Sequence, residues 1–277
     1  MSTLYLVATP IGNLEDITLR ALRILKQVSL VAAEDTRTAR NLLTHFDIST
    51  PVTSYFEHNK IDKLETILDA LDQGDVAVIS EAGMPGLSDP GYELVRAALA
   101  RGFRVEPIPG PSALTTALVA SGLPTDQFVF LGFLPRQPSA RRKALKAIAG
   151  EPRTLVAYEA PHRIEETLGD IAAILGDRHI CVARELTKLH EEYIRGSVTA
   201  AHEHFQAQTP RGEFTLIIAG ATESDASQSQ EEWDDQRVRA AVQDLIASGL
   251  TRTDAVKRVT QSSGWDRRAV YRLAIGK

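Results

Sequence analysis

The chain lacks most of the signals that assign a sequence quickly. Among its 277 residues there is one cysteine, Cys181, which excludes a disulfide framework and any cysteine-based zinc site. Set in the apolar run Ile180-Cys181-Val182-Ala183, that thiol is expected to pack within a buried strand. No GxxxxGK[ST] loop occurs and no loop fits GxGxxG, so the familiar nucleotide-binding motifs are missing. A Gly-x-Ser-x-Gly elbow is missing too, which weighs against an α/β-hydrolase. His202 and His204, two apart, point to different sides of a helix and are expected to be solvated rather than to hold a metal. Residues 107–125 are uncharged, but their four prolines and two glycines suit a loop, helix and loop better than a membrane span. The first residues read straight into a strand, Leu4-Tyr5-Leu6-Val7, with no basic leader, and a cytoplasmic protein is expected. No internal repeat is visible.

What is present is ordinary in amount and informative in placement. A composition 43% hydrophobic and 24% charged supplies a globular core, and the length fits two domains or one large domain with an appendage. The net charge of −5 argues against a nucleic-acid partner only until its distribution is read. Residues 221–236 carry six acidic side chains and no lysine or arginine, whereas 237–277 carry nine basic against three acidic ones. That excess of six on a short tail is the electrostatic footprint expected of a nucleic-acid contact, and it equally fits a basic but inert helical cap.

Apolar runs at Leu4–Val7, Leu30–Ala33, Val76–Ile79, Val105–Ile108, Phe128–Leu131, Leu155–Tyr158, Ile180–Ala183 and Phe214–Ala219 predict strands. Helical patterns at Thr18–Val28, Ile61–Gln73, Gly91–Arg101, Ser112–Ser121 and Ile164–Leu175 lie between them. The alternation predicts an α/β architecture with a largely parallel, covered sheet. Ser121-Gly122-Leu123-Pro124 reads as a seam between two α/β domains, and Ala221–Gln230 as a linker. Beyond it, Arg237–Ser248, Thr253–Ser262 and Arg267–Ile275 predict three short helices, the last two separated by Ser263-Gly264-Trp265-Asp266, a spacing like a helix-turn-helix. The expected organisation is 1–117, a first α/β domain; 118–222, a second; 223–236, an acidic linker; and 237–277, a basic helical module.

Three predicted strands run directly into proline- and glycine-rich loops: Ala8-Thr9-Pro10-Ile11-Gly12-Asn13, Ser80-Glu81-Ala82-Gly83-Met84-Pro85-Gly86 and Pro109-Gly110-Pro111-Ser112-Ala113. Backbone of this composition approaches a ligand closely, and ligands of open α/β sheets bind beyond the carboxyl ends of the strands. Polar clusters follow other strands: Glu34-Asp35-Thr36-Arg37, Tyr158-Glu159-Ala160-Pro161-His162-Arg163 and Arg184-Glu185-Leu186-Thr187-Lys188. Each also has a structural reading, with Glu34 or Asp35 capping the helix at Thr38–Thr44 and Arg184 pairing with Glu185. Arg136, Arg141-Arg142-Lys143 and Lys146 form a further basic stretch, suited to phosphates if it borders the cleft.

Taken in order, Leu6–Leu14, Ala33–Arg37, the Glu81–Gly91 loop, Pro109–Ala113, Tyr158–Arg163, Ala183–Lys188 and Gly212-Glu213-Phe214 resemble the tetrapyrrole-methylase-like (class III) S-adenosylmethionine methyltransferases, in particular those that modify small-subunit ribosomal RNA. The resemblance implies two α/β domains with S-adenosylmethionine folded into the cleft between them, a homodimer, and 2′-O-methylation of a cytidine in the decoding centre of 16S rRNA. By motif, Pro10, Glu81, Met84, Ser112 and Ala113 would contact the cofactor. Glu81 stands where that pattern has Asp, and Met84 where it has a small hydroxyl residue. The substrate would be 16S rRNA or the assembled small subunit.

A ribose hydroxyl is a poor nucleophile until its proton is taken. Glu34, Asp35, Glu159, His162 and Lys188 are the candidate catalytic groups. Arg37, Arg141, Arg142, Arg163, Arg267 and Arg268 are the candidate RNA contacts. Two other functions fit parts of the pattern: a small-molecule methylase of the same fold acting on a tetrapyrrole-like substrate, which would not need the basic tail, and a non-enzymatic RNA-binding assembly factor, which would not bind the methyl donor.

Overall fold

Two five-stranded sheets and their helices make up the larger part of the molecule in a computed structural model, which describes residues 2–56, 60–207, 209–222, 235–263 and 265–275. The chain divides into two compact units, residues 1–222 and 223–277. The first sheet holds β1 (Thr3–Val7), β2 (Leu30–Ala33), β3 (Val52–Ser54), β4 (Val76–Ile79) and β5 (Arg104–Ile108) in the order β3-β2-β4-β1-β5. Every pairing in it is parallel. All four residues of β4 are buried, which is why the strand reads as an unbroken apolar run: helices cover both faces of a parallel sheet. Those helices are α1 (Leu19–Gln27), α2 (Thr36–His45), α3 (Lys60–Gln73) and α4 (Tyr92–Ala100). One face packs Ala21, Ile24 and Leu25 of α1 and Leu43 of α2; the other packs Ile67, Leu68 and Leu71 of α3 with Leu94 and Ala98 of α4.

The second sheet contains β6 (Phe128–Phe133), β7 (Thr154–Glu159), β8 (His179–Arg184), β9 (Glu192–Ser197) and β10 (Phe214–Ile218), ordered β6-β7-β10-β8-β9. Only β6 and β7 run parallel there; β10 lies antiparallel between β7 and β8, and β8 and β9 form a hairpin. The expectation of a largely parallel sheet therefore holds for the first half alone. Two strands, β3 and β9, have no counterpart among the apolar runs. β3 is three residues long, and β9 is an edge strand whose charges (Glu192, Arg195) break the apolar run.

Helices α6 (Pro138–Ala147), α7 (Ile164–Leu175) and α8 (Val198–Gln206) accompany this sheet, and α7 and α8 bury Ile164, Leu168, Val198 and Phe205 against one of its faces. The other face receives α5 (Ala113–Ala120) through Leu114, Ala117 and Leu118, packed with Val156, Cys181 and Ile217. Ile11, from the loop after β1, joins that cluster. A helix and a loop that follow strands of the first sheet are thus buried on the second, which makes residues 1–222 a single packed body. Cys181 is fully buried there, and burial pushes its thiol up from its ordinary value, as an inert core residue requires.

The smaller unit consists of α9 (Asp235–Ala247), α10 (Arg252–Ser263) and α11 (Arg267–Ala274) around Val238, Val242, Val256, Val259 and Val270. Asp266 caps α11, its carboxylate accepting from Arg268 N and Ala269 N. The three predicted helices are present close to their expected bounds. The acidic segment 223–234, Gly264 of the expected turn and Lys277 lie outside the described residues.

Candidate functional site

The strand order β4-β1-β5 places three adjacent, parallel carboxyl ends side by side, and the three proline- and glycine-rich loops follow those strands. They touch one another. Thr9 N donates to Gly83 O (2.9 Å) and Gly83 N to Thr9 O (3.0 Å), while Thr9 Oγ1 donates to Ser80 O (3.3 Å). Gly83 has φ +85°, a left-handed conformation that a side chain would strain, with Ile11 and Pro111 O within 3.7 Å of where a Cβ would stand.

The first loop is also clamped to the turn after β8. Asn13 N donates to Thr187 Oγ1 at 3.0 Å. A Cβ on Gly12 would collide with Lys188 and stand 2.9 Å from Leu186 O, so only glycine permits this approach. The turn is itself strained: Glu185 and Thr187 take φ +51° and +64°. It is over-determined by Glu185 N donating to Glu213 O (3.0 Å), Glu213 N donating to Glu185 Oε1 (3.0 Å) and Thr187 N donating to Glu191 Oε2 (2.6 Å). Strain of this kind persists where surrounding contacts hold it, commonly beside functional sites.

Between the loops and the second sheet lie two adjoining chambers of about 210 and 450 Å³. Ile11, Glu81, Ala82 and Glu213 border both and form their common wall. The smaller chamber holds Glu34, Asp89, Met84, Ser112, Ala113 and Tyr158. The larger is bordered by Pro10, Gly12, one face of α2 and Lys188. Of the residues expected at the cofactor, Met84, Ser112 and Ala113 fall in the smaller chamber, Glu81 on the common wall and Pro10 in the larger one.

Glu34, Glu81 and Asp89 bring carboxylates to the smaller chamber, besides Glu159 and Glu213 at its border. Asp89 has its pKa pushed up to about 6, chiefly by burial and then by the charge of Glu34, with Glu81 adding to it and a hydrogen bond from Ser80 opposing. Burial likewise raises Tyr158, whose hydroxyl is near Leu114 N, Asp89 and Ser112. Phe133 reaches the chamber past an irregularity in the β6–β7 register and lies 5.5 Å from the Tyr158 ring. Ile11, Leu87 and Leu186 complete an apolar lining. Neither Asp89 nor Phe133 is among the residues expected from the sequence. In the sequence Asp89 reads as part of a helix start, and the available signal for it is its place at the end of the second Gly-rich loop.

The remaining expectations divide on burial. Glu34 lies in the smaller chamber and Lys188 in the larger. Asp35 instead caps α2, accepting from Arg37 N and Thr38 N, and the hydrogen bond from the Arg37 side chain lowers its pKa to about 2. A carboxylate of such low proton affinity is a poor base near neutrality. Glu159 borders the smaller chamber, yet both its oxygens are engaged, one by Ala160 N (2.7 Å) and the other by Thr167 Oγ1 (2.6 Å) and Arg163 (3.1 Å). Lys188 Nζ donates to Glu185 (2.9 Å) and Glu213 (2.8 Å). Burial alone would lower its pKa, but those bonds outweigh it and raise the ammonium above the ordinary lysine value, so it is a cation and no base. His162 is exposed and borders neither chamber.

Two expected RNA contacts are corrected by burial. Arg141 is 1% exposed, with Nε donating to Asp170 at 2.7 Å. Arg163 is 8% exposed and donates to Leu134 O (2.7 Å) and Glu159. Both guanidiniums are internal ties, beyond the reach of a phosphate. Arg37, Arg142, Arg267 and Arg268 are exposed, although Arg37 is paired with Asp35 and Arg142 with Asp170.

With this geometry in place, the comparisons with known proteins are specific. The family model described as Tetrapyrrole (Corrin/Porphyrin) Methylases matches residues 3–202, which defines the class as a methyltransferase. Uroporphyrin III C-methyl transferase from Thermus thermophilus shares the fold with a TM-score of 0.57 at 21% identity, over 79% of this chain and 97% of that one. Diphthine synthase does so with a TM-score of 0.61 at 13% identity, over 82% and 94%.

Closer in sequence are proteins named ribosomal RNA small subunit methyltransferase I. The one from Halalkalibacterium halodurans is 47% identical over 98% of this chain and 94% of its own length. That from Synechocystis sp. is 47% identical over 99% and 98%. That from Thermotoga maritima is 48% identical over 79% of this chain and 99% of its own. The chain belongs to this ribosomal RNA small subunit methyltransferase I family, within the tetrapyrrole methylases.

Proposed function

We propose that the protein transfers a methyl group from S-adenosylmethionine to the 2′-hydroxyl of a cytidine in the decoding centre of 16S rRNA, in the cytoplasm and as a homodimer. The observation that carries the reading is the pair of chambers with a common wall, one acidic and apolar, the other opening along α2. The smaller chamber fits the cofactor by its chemistry. Glu34, Glu81 and Asp89 offer carboxylates to a cationic ligand, while Ile11, Leu87, Phe133 and Leu186 offer apolar surface to an adenosyl or thioether group. Bound there, the cofactor supplies an already activated methyl on a sulfonium.

The protein's share is then alignment, exclusion of water and removal of one proton. Asp89, with a pKa of about 6, is the carboxylate best matched to accept the hydroxyl proton near neutral pH. Glu34 and Glu81 would face the cofactor's positive charge beside it, and Tyr158 with Ser112 would order the chamber edge. Relatives named as rRNA methyltransferases support RNA over a tetrapyrrole as substrate. So do Arg267 and Arg268, exposed on α11.

The test is methyl transfer from labelled cofactor to free 16S rRNA, assembled small subunits and a tetrapyrrole, with the modified nucleotide mapped. Label on the base, on another nucleotide or on the tetrapyrrole alone overturns the assignment.

A further inference from the structure

We infer that the larger chamber is the acceptor site, and that it takes a single unstacked nucleobase carrying an exocyclic amino group, read by Asn41 and His45. This rests on the methyl-transfer reading above and assigns to the acceptor a place that the reading leaves open. The chamber measures about 450 Å³ and meets the donor chamber along a wall that includes Glu81 and Glu213. A nucleoside seated with its base against α2 therefore brings its ribose to that wall, where a hydroxyl reaches the methyl donor in the adjoining space.

The charge of the lining decides which part of a nucleotide enters. Lys188, the cation bordering this chamber, has its ammonium committed to Glu185 and Glu213, and Glu81 adds another negative charge. Such a lining repels phosphate and accepts N–H donors. Carboxylates and carboxamides are the groups that read amino-bearing base edges.

The reading face is a regular product of α2. Thr38, Asn41 and His45 recur at helical spacing and all border the chamber. Asp35 sets the start of that helix by capping it, and the His45 ring is held edge-on to Phe46 at 4.7 Å. Asn41 offers both a donor and an acceptor to a base edge, and His45 offers one ring nitrogen of each kind when neutral. Thr38 and Asn41 are exposed and His45 sits at the end of the helix, so none of the three supports the core.

The experiment compares the full-length protein with Asn41→Ala and His45→Ala, using small subunits whose target nucleotide is either cytidine or uridine. In each variant KM for the RNA is expected to rise roughly tenfold to hundredfold, the scale on which one good base-edge pairing discriminates. Affinity for S-adenosylmethionine by calorimetry should stay within about twofold, which also verifies that the variants fold. The preference of the unaltered protein for cytidine over uridine should shrink in Asn41→Ala. If the unaltered protein methylates the cytidine but both variants keep its KM and its discrimination, the acceptor assignment is overturned while the activity stands. If the unaltered protein methylates no RNA, the activity itself falls and this assignment with it.

Discussion

Thr9 and Gly83 exchange a pair of backbone hydrogen bonds, 2.9 and 3.0 Å, across the gap between two loops that are distant in the chain. That bridge ties the two loops together where the chambers meet, with Gly83 on the smaller chamber and Thr9 on the larger. It depends on a residue at φ +85°, where an L side chain costs about 1–2 kcal/mol before any collision is counted. Gly83→Val should therefore weaken S-adenosylmethionine binding at least tenfold while lowering Tm by only a few degrees, measured by calorimetry and thermal unfolding. Unchanged donor affinity would show that the bridge does not shape the site.

Gly12 makes the corresponding closure between the halves. Its missing Cβ leaves room for Lys188 and Thr187, the latter's hydroxyl only 2.8 Å from where that atom would be. Gly12→Leu must push the first loop off the turn after β8 and break the Asn13–Thr187 hydrogen bond. Methyl transfer should fall by two orders of magnitude or more, with the sheets intact by circular dichroism. Activity within tenfold of normal would mean that the two halves need not be clamped for catalysis.

Much of this architecture is legible in the residues alone. The apolar runs locate eight strands, some fully buried like β4 and β10 and others only partly so like β5 and β6, and the Pro/Gly loops mark the ligand edge. What the residues do not reveal is strand order. That β4, β1 and β5 are neighbours, and hence that the three loops meet, depends on crossovers encoded in no local pattern. Burial is equally hidden: Arg141 and Arg142 are adjacent and chemically alike, yet one turns inward to Asp170 and the other keeps its side chain 59% exposed. Asp89 is illegible for a related reason, since its raised pKa comes first from burial and then from the charge of Glu34, a residue on a different loop.

The Arg141–Asp170 pair makes a stability prediction opposite to a role at an RNA surface. The two side chains are 2% and 10% exposed and 2.7 Å apart. Removing one partner of such a pair strands a buried charge and costs about 3–5 kcal/mol. Asp170→Ala should lower the unfolding free energy by that amount in urea, and Arg141→Ala by less, because Arg142 still pairs with Asp170. RNA affinity of the folded fraction should change little. A loss of RNA binding without a loss of stability would restore Arg141 to the surface.

Asp89 supplies a pH dependence whose sign is set by its raised value. Its ordinary pKa of 3.8 becomes about 6 in the folded chain, so the folded state holds the proton more tightly between those limits. The associated stabilisation is complete below about 3.8 and is lost as pH rises through about 6. A cationic methyl donor favours the ionised carboxylate, so its binding should release a proton near pH 5–6. Donor affinity should rise between pH 5 and 7, by up to about tenfold because roughly a tenth of a group with that pKa is ionised at pH 5. Calorimetry in buffers of different ionisation enthalpy measures both effects. Asp89→Asn should abolish the proton release and flatten the profile, and a profile unchanged in that variant would place the titrating group elsewhere.

The final prediction concerns the helical unit beyond residue 222. The Thermotoga maritima relative aligns over 221 residues that make up 99% of its own length, which is the size of the first unit here. A protein bearing the same family name is therefore about as long as the first unit alone. Arg267 and Arg268 of that unit are exposed side by side at the start of α11, suited to binding phosphates. A chain ending at Thr222 should bind S-adenosylmethionine normally and retain kcat within about threefold. Its KM for the small subunit should rise, and the salt dependence of RNA binding should become shallower by roughly two units of slope, about 0.9 for each phosphate no longer neutralised. The double substitution Arg267→Ala and Arg268→Ala should reproduce most of that change in slope. An unchanged slope in both proteins would remove the basic tail from RNA recognition, whereas loss of donor binding on truncation would make the tail part of the catalytic body.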